Sequence, residues 1–174
     1  KTTSDWLREN APQGAKIGFD PWLHTSKAIE YWEKSAEKFN IKLVATSPNP
    51  VDAIWQSRPA APCARITPHE QTFAGKSSAE KRLSLAQQMK DSGINAAVLT
   101  DPASIAWLLN VRGGDVPHTP LPLSFAIISD DSTVYWFVDL KKISMTLPQR
   151  LGSQVLRCEP AEFALMLQRL GETK

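Results

Sequence analysis

Apolar positions fall into two blocks along the chain, separated by a stretch without periodicity. In the first block, Ile29, Trp32, Ala36 and Phe39 recur at three- and four-residue steps with charged residues between them, which predicts an amphipathic helix over about 25–39. Short apolar runs predict strands at 16–20 and 41–46, and Ser4 or Asp5 is the predicted cap of a short helix ending at Asn10. This β-α-β set is too small to cover both faces of a sheet. We therefore expect residues 1–56 to be the C-terminal part of a larger domain.

The stretch between the blocks, residues 57–74, contains Pro59, Pro62 and Pro68 and no regular pattern of apolar positions. Proline fixes φ and removes a hydrogen-bond donor, so it favours extended backbone and interrupts regular elements. We expect an extended linker here.

The second block, residues 75–174, begins with clear helix signals. Ser77 followed by Glu80 predicts a capping box, and Gly93 is a suitable residue just beyond the end of that helix. After an apolar strand at 96–100, Asp101 and Pro102 predict the cap and first turn of a second helix.

Further along, runs at 123–129 and 133–138 are joined by three polar residues and predict an antiparallel hairpin. A weak helix at 141–151, interrupted at Pro148, a strand at 154–157 and a closing helix at 161–170 complete the pattern. The predicted fold class is α/β: a mixed β-sheet flanked by helices, preceded by the incomplete β-α-β piece.

Composition and charge exclude several classes of protein. The 174 residues are 42% hydrophobic and 22% charged with a net charge of +2, and the basic residues are not clustered, so we expect no nucleic-acid partner. The apolar runs are strand-sized, so we expect no membrane span. Cys63 and Cys158 lie far apart and are predicted to be free thiols in the cytoplasm. Because the chain begins with Lys1 rather than methionine, we also expect residues to be missing upstream.

No catalytic motif is present in the sequence. The three histidines lie in separate predicted loops, and there is no HExxH, phosphate-binding loop or nucleophile elbow, so no catalytic or metal-ligating residue is predicted in this chain. The segment that stands out is a polar loop bounded by glycines and prolines, which contains Asn110, Arg112, Asp115 and His118. A stiff backbone around an arginine and a histidine is suited to the wall of a binding site. A structural alternative is that Arg112 pairs with Asp115 while Asn110 caps the preceding helix.

The run WLLNVRGGDVPHTPLPLSFA at 107–126 resembles the second domain of three-domain Xaa-Pro aminopeptidases, which are pita-bread metallopeptidases related to prolidase and creatinase. GFDPW at 18–22 resembles the end of the first domain in that family, and DAIWQSRP at 52–59 resembles its exit into the linker. The resemblance implies that residues 1–56 are the end of domain I, 57–74 the linker and 75–174 a creatinase-like domain II.

The resemblance also implies a function. In the family, two divalent metals, usually manganese, are held by a third domain whose ligands have no counterpart in this chain, so we expect the 174 residues alone to be inactive and metal-free. The parent would release the N-terminal residue from peptides with proline at position 2, and it would be a homodimer. This piece would contact its own catalytic domain and border the active-site cleft, where Asn110, Arg112 and His118 are the candidates for defining substrate length.

Two other interpretations remain open. A pita-bread relative without catalysis could use the same domains to bind peptides or proteins. A stand-alone α/β binding module is disfavoured because the first block lacks the strands that would complete its sheet.

Overall fold

The computed structural model describes residues 1–172 of the 174, and the chain divides into two compact units, Lys1–Ala60 and Ala61–Lys174. No helix within residues 1–172 is long and apolar enough to cross a membrane.

The first unit contains three helices and two strands. Its elements are α1 (Thr3–Asn10), β1 (Lys16–Phe19), α2 (Ser26–Glu37), β2 (Lys42–Ala45) and α3 (Pro50–Ile54). β1 and β2 pair in parallel, with Lys16 opposite Lys42, so the predicted β-α-β unit is confirmed. The predicted cap of α1 was wrong: Thr2 caps the helix in a capping box with Asp5, because the threonine hydroxyl accepts from the Asp5 N–H.

The core of this first unit is small. Among residues 1–60, Ala36, Ile41 and Leu43 are the only buried apolar residues, whereas Trp22 and Tyr31 are each 64% exposed. Parallel sheets are normally covered on both faces, and two strands with three short helices cannot provide that cover.

The second unit contains five helices, six strands and two 3₁₀ turns within its described residues. In chain order they are β3 (Thr67–Pro68), α4 (Gln71–Ala74), α5 (Ser78–Asp91), β4 (Ala96–Leu99), α6 (Pro102–Leu109), β5 (Val111–Arg112), β6 (Phe125–Ser129), β7 (Val134–Phe137), a 3₁₀ turn (Leu140–Lys142), α7 (Leu147–Leu151), β8 (Val155–Cys158), a 3₁₀ turn (Pro160–Glu162) and α8 (Phe163–Glu172).

The sheet of the second unit has the strand order β4-β6-β7-β8. β6 is antiparallel to both β4 and β7, and β8 runs parallel to β7, so the sheet is mixed, as predicted. On one face, residues of α5 and α6 pack with the strands around the fully buried Trp136, whereas on the other face Phe163 of α8 stacks on Phe125 with ring centroids 4.6 Å apart. The α/β fold class is confirmed.

Two local predictions need correction. Residues 58–65 have no helix or strand, but the stretch predicted to be only extended also contains the fully buried Ile66, β3 and α4. Pro148 does not interrupt a helix over 141–151. It lies in the first turn of the shorter α7, where its missing N–H costs nothing because that N–H would have no partner within the helix.

Candidate functional site

The predicted polar loop follows α6, a helix fixed at its start by a strong cap. The Asp101 carboxylate accepts hydrogen bonds from the Ser104 N–H at 2.9 Å and the Ser104 hydroxyl at 2.7 Å, and Pro102 occupies the first turn. Ile105, Ala106, Leu108 and Leu109 are then buried along the helix. Because both the start and the flanks of α6 are held, the position of its last residue is well defined.

Asn110 ends α6 in the left-handed conformation, with φ 51° and ψ 55°. Asparagine tolerates this conformation better than most residues with a side chain. Here its side-chain amide both accepts and donates a hydrogen bond. The amide oxygen accepts from Lys81 Nζ at 2.6 Å, the amide nitrogen donates to the Lys76 carbonyl, and the Asn110 carbonyl accepts from the His69 N–H. Asn110 therefore caps α6, as the structural alternative stated.

Arg112 lies on β5, which pairs with β3 so that Thr67 is opposite Arg112. Val111 is fully buried, and Arg112 is partly exposed. The guanidinium donates one hydrogen bond, from Nη1 to the Val111 carbonyl at 2.8 Å, and has no ion-pair partner among residues 1–172. The suggested pairing of Arg112 with Asp115 does not occur.

Asp115 is occupied by other partners. Its side chain is fully buried, and Oδ2 accepts from Lys142 Nζ and from the Leu123 N–H, each at 2.7 Å, while Oδ1 accepts from the Ala64 N–H at 3.1 Å. Burial alone would raise the pKa of Asp115, but the hydrogen bonds from Lys142, Leu123 and Ala64 outweigh it and leave the pKa below its usual value. One carboxylate thus joins three segments of chain.

The loop between β5 and β6 returns on itself after Arg112. A Cβ at Gly113 would lie 2.8 Å from the Pro122 backbone nitrogen, so only glycine allows this close approach. At the far end, His118 occupies a tight turn with φ 59° and is exposed, and its imidazole has no hydrogen-bond partner among residues 1–172. The structure brings Asn110 and Arg112 to the same end of the unit and puts His118 at the tip of a turn.

Lys81 is the site residue that the sequence did not reveal. It lies on α5 and is 4% exposed, and its ammonium donates to the Trp107 carbonyl at 3.0 Å and to Asn110 Oδ1, 4.6 Å from the centre of the Trp107 ring. Burial lowers the pKa of Lys81, and the positive charge of Arg112 lowers it further. The nearest sequence signal was the capping box of Ser77 and Glu80, which sets where α5 begins but does not identify the partner of Lys81.

A cleft of about 210 Å³ adjoins Asn110 and is lined also by His69, Ser77, Glu70 and Arg150. The last two neutralise each other, since the Arg150 guanidinium donates to both Glu70 oxygens at 2.8 and 2.9 Å. Within residues 1–172, no group of three or more His, Cys, Asp or Glu side chains is arranged to hold a metal ion. The described residues therefore do not fit a di-nuclear metal centre.

Comparison with known proteins gives the family. Residues 57–174 match the model of the creatinase/prolidase N-terminal domain. Aminopeptidase P1 of Arabidopsis thaliana is 37% identical over 139 residues, which cover 80% of this chain and 21% of that protein. Aminopeptidase P2 of the same plant is 35% identical over 166 residues, which cover 94% of this chain and 23% of that protein.

A solved structure agrees over the whole chain. The X-prolyl aminopeptidase of Caenorhabditis elegans, described as a cytosolic enzyme with a di-nuclear active site, superposes with a TM-score of 0.89 at 27% identity and covers 100% of this chain and 28% of its own. The chain spans between a fifth and a quarter of the length of the two plant proteins. With more than half of its residues matched by the family model, this chain belongs to the creatinase/prolidase N-terminal domain family.

Proposed function

We propose that the chain is the N-terminal, non-catalytic part of a proline-specific metalloaminopeptidase, which releases the first residue of peptides that have proline second. The observation that carries this proposal is the match of the entire chain to 28% of an X-prolyl aminopeptidase at a TM-score of 0.89. The aminopeptidase P relatives support it from sequence. The bond before proline is a tertiary amide without an N–H, so its hydrolysis calls for a dedicated peptidase.

The chemistry belongs to a part of the parent that this chain does not contain. Two divalent metals, which we take to be manganese, would there activate a water molecule for attack on the peptide bond. We further propose a cytosolic homodimer. The cytosolic description of the nematode enzyme supports the compartment.

This proposal predicts a sharp difference between chain and parent. The full-length protein should contain about two metal ions per chain and hydrolyse Ala-Pro-Ala, and residues 1–174 alone should do neither. Elemental analysis after dialysis and an assay for released alanine measure both. A full-length protein that binds Xaa-Pro peptides without metal or turnover would instead be a non-catalytic peptide-binding relative.

We propose that residues 1–56 are the end of domain I and 75–174 the main body of domain II, and that the linker predicted over 57–74 is confined to the irregular residues 57–65, because Ile66 lies in the core of the second unit and β3 pairs with β5. The sparse core of the first unit supports this division, because a complete domain of its size buries more apolar surface. Limited proteolysis should cut first within 57–65, which has neither helix nor strand, and leave a resistant C-terminal fragment. First cleavage between 78 and 170 would contradict it.

Asn110, Arg112 and His118 are proposed to border the substrate cleft of the parent and to limit peptide length. Arg112 is the best supported, because its charge has no partner within residues 1–172. Arg112→Ala in the parent should raise KM for a short Xaa-Pro peptide roughly ten- to a hundredfold, or about 1.4–2.8 kcal/mol. The control is Arg157→Ala on β8, which removes an exposed arginine and should leave KM unchanged.

A further inference from the structure

The C-terminal end of α6 carries more positive than negative charge among the side chains described. Lys81 is buried and hydrogen-bonds only to neutral oxygens, those of Trp107 and Asn110, and no carboxylate within residues 1–172 pairs with it. Burial of an ammonium ion costs several kcal/mol, and proteins usually offset that cost with an acidic partner. Cations near a helix C-terminus are favoured by the helix dipole, which explains part of the arrangement but leaves the net charge in place.

Arg112 adds a second uncompensated cation two residues beyond Asn110. It is near enough to Lys81 for its charge to lower the pKa of that lysine. The acidic residues closest in sequence are engaged elsewhere: Asp115 binds Lys142, and the Glu80 carboxylate accepts from the Ser77 N–H and hydroxyl at 2.7 Å each. Two neighbouring cations without a carboxylate create a positive potential at this end of the unit.

The chemistry of these groups defines the ligand they would take. A guanidinium with one bonded N–H still offers several donors in a planar fork, which matches the two oxygens of a carboxylate. Lys81 is too deeply buried to be the main contact, but its ammonium holds the Asn110 side chain and the last turn of α6, and Arg112 follows Asn110 by two residues on β5.

We propose that Arg112 and Lys81 form a carboxylate-binding subsite for the peptide substrate, in which Arg112 contacts the carboxylate and Lys81 is a positioning residue behind it. The inference rests on the proposed aminopeptidase function and deepens it. The parent enzyme would then prefer short peptides that present a negative charge at this subsite.

The test uses the full-length parent and three peptides. Ala-Pro-Ala carries a C-terminal carboxylate, Ala-Pro-Ala-amide carries none, and Ala-Pro-Asp-amide carries a side-chain carboxylate. Wild type should cleave the free acid with a kcat/KM at least tenfold above that of the neutral amide, mainly through KM. The aspartyl amide shows which carboxylate is bound. If its kcat/KM equals that of the free acid, the subsite binds any nearby carboxylate. If it equals that of the neutral amide, the subsite binds the C-terminal carboxylate specifically.

Variants then assign the effect to the two residues. Arg112→Ala should reduce the acid-to-amide ratio to within about twofold of unity, and Lys81→Met should reduce it about three- to fivefold, with recovery in Lys81→Arg because that variant keeps the charge and the donors. Lys90→Met is the control, since it removes an exposed lysine of the same helix, α5, and should leave the ratio unchanged.

Several outcomes would overturn the inference. They are equal cleavage of acid and neutral amide by wild type, an unchanged ratio in Arg112→Ala, or a ratio altered as much by Lys90→Met as by Lys81→Met. Arg112 is partly exposed, so its variant keeps the test decisive even where Lys81→Met folds poorly. Absence of all Xaa-Pro hydrolysis in wild type would instead contradict the proposed function.

Discussion

Two lysines of the second unit are buried to nearly the same degree, 4% exposed for Lys81 and 5% for Lys142, but their charges are held differently. Lys142 faces the buried carboxylate of Asp115, whereas Lys81 faces a carbonyl, an amide oxygen and an aromatic ring. Lys142 and Asp115 neutralise each other and stabilise the fold; we call them the closed pair. A buried cation with neutral partners beside a second cation leaves charge available to something outside the unit.

The largest expected effect comes from removing the anion of the closed pair. Asp115→Ala leaves Lys142 as an unpaired buried charge and two backbone N–H groups without an acceptor, so the free energy of unfolding should fall by about 3–5 kcal/mol. Hydrogen exchange of the β6 amides in the 174-residue chain measures this free energy of unfolding. Asp91→Ala, an exposed aspartate at the end of α5, should change it by less than about 0.5 kcal/mol.

Exchanging each lysine for methionine tests the comparison directly. Lys142→Met strands the Asp115 carboxylate and should cost about 3 kcal/mol. Lys81→Met loses hydrogen bonds to neutral groups but also relieves the burial of a charge, so it should cost about 1 kcal/mol or less. The same exchange measurement reports both. Equal costs would mean that Lys81 has an anionic partner in solution and that the contrast between the two sites is wrong.

Acid should weaken the closed pair. The pKa of Asp115 is lowered in the folded state, so its contribution to stability is complete above its ordinary value of 3.8 and is lost as the pH falls through the folded pKa. Asp115→Asn has no such dependence, so the stability difference between wild type and this variant should narrow between pH 5 and pH 2. Urea titrations at a series of pH values measure the difference. A stability difference between wild type and Asp115→Asn that stays constant over this range would contradict a lowered pKa for Asp115.

At alkaline pH, Lys81 should change stability with the same sign of pH dependence as Asp115, because stability again rises with pH, and this should be the smallest of the effects. Because its pKa is lowered on folding, the unfolded chain binds the proton more tightly, and stability rises as the pH increases from the folded pKa toward the ordinary value of 10.5. Wild type should therefore gain stability relative to Lys81→Met as the pH rises toward 10.5. Paired titrations of these two proteins isolate the lysine from other groups that titrate in the same range.

Local signals in the sequence predicted the elements that depend on neighbouring residues. The capping box of Ser77 and Glu80 and the cap at Asp101 were both confirmed, because each is completed within three residues. The β3–β5 pair was missed, since each strand has two residues and β3 contains Pro68, which gives no strand pattern.

The partners of charged residues could not be predicted in the same way. Asp115 was weighed as a partner of Arg112, three residues away, but its cation is 27 residues away on another segment. The contact of Lys81 with Asn110 spans 29 residues. Which residues pair in this way depends on how distant segments such as α5 and α6 pack together. That packing cannot be deduced from composition or from the spacing of residues along the chain. The roles of Asn110, Arg112 and His118 at a substrate cleft remain predictions.

The hydrogen bond from the Ala64 N–H to Asp115 has a consequence for how this domain can be inherited or recombined. Ala64 lies in backbone with no helix or strand, ahead of the capping box that looks like the natural start of the second unit. A gene fusion joined at residue 75 would discard Ala64, the buried Ile66 and all of β3. It would expose Val111 and leave one oxygen of a buried carboxylate without its donor. A recombination point upstream of residue 61 keeps these contacts, so the irregular segment should travel with the domain whenever the domain is moved.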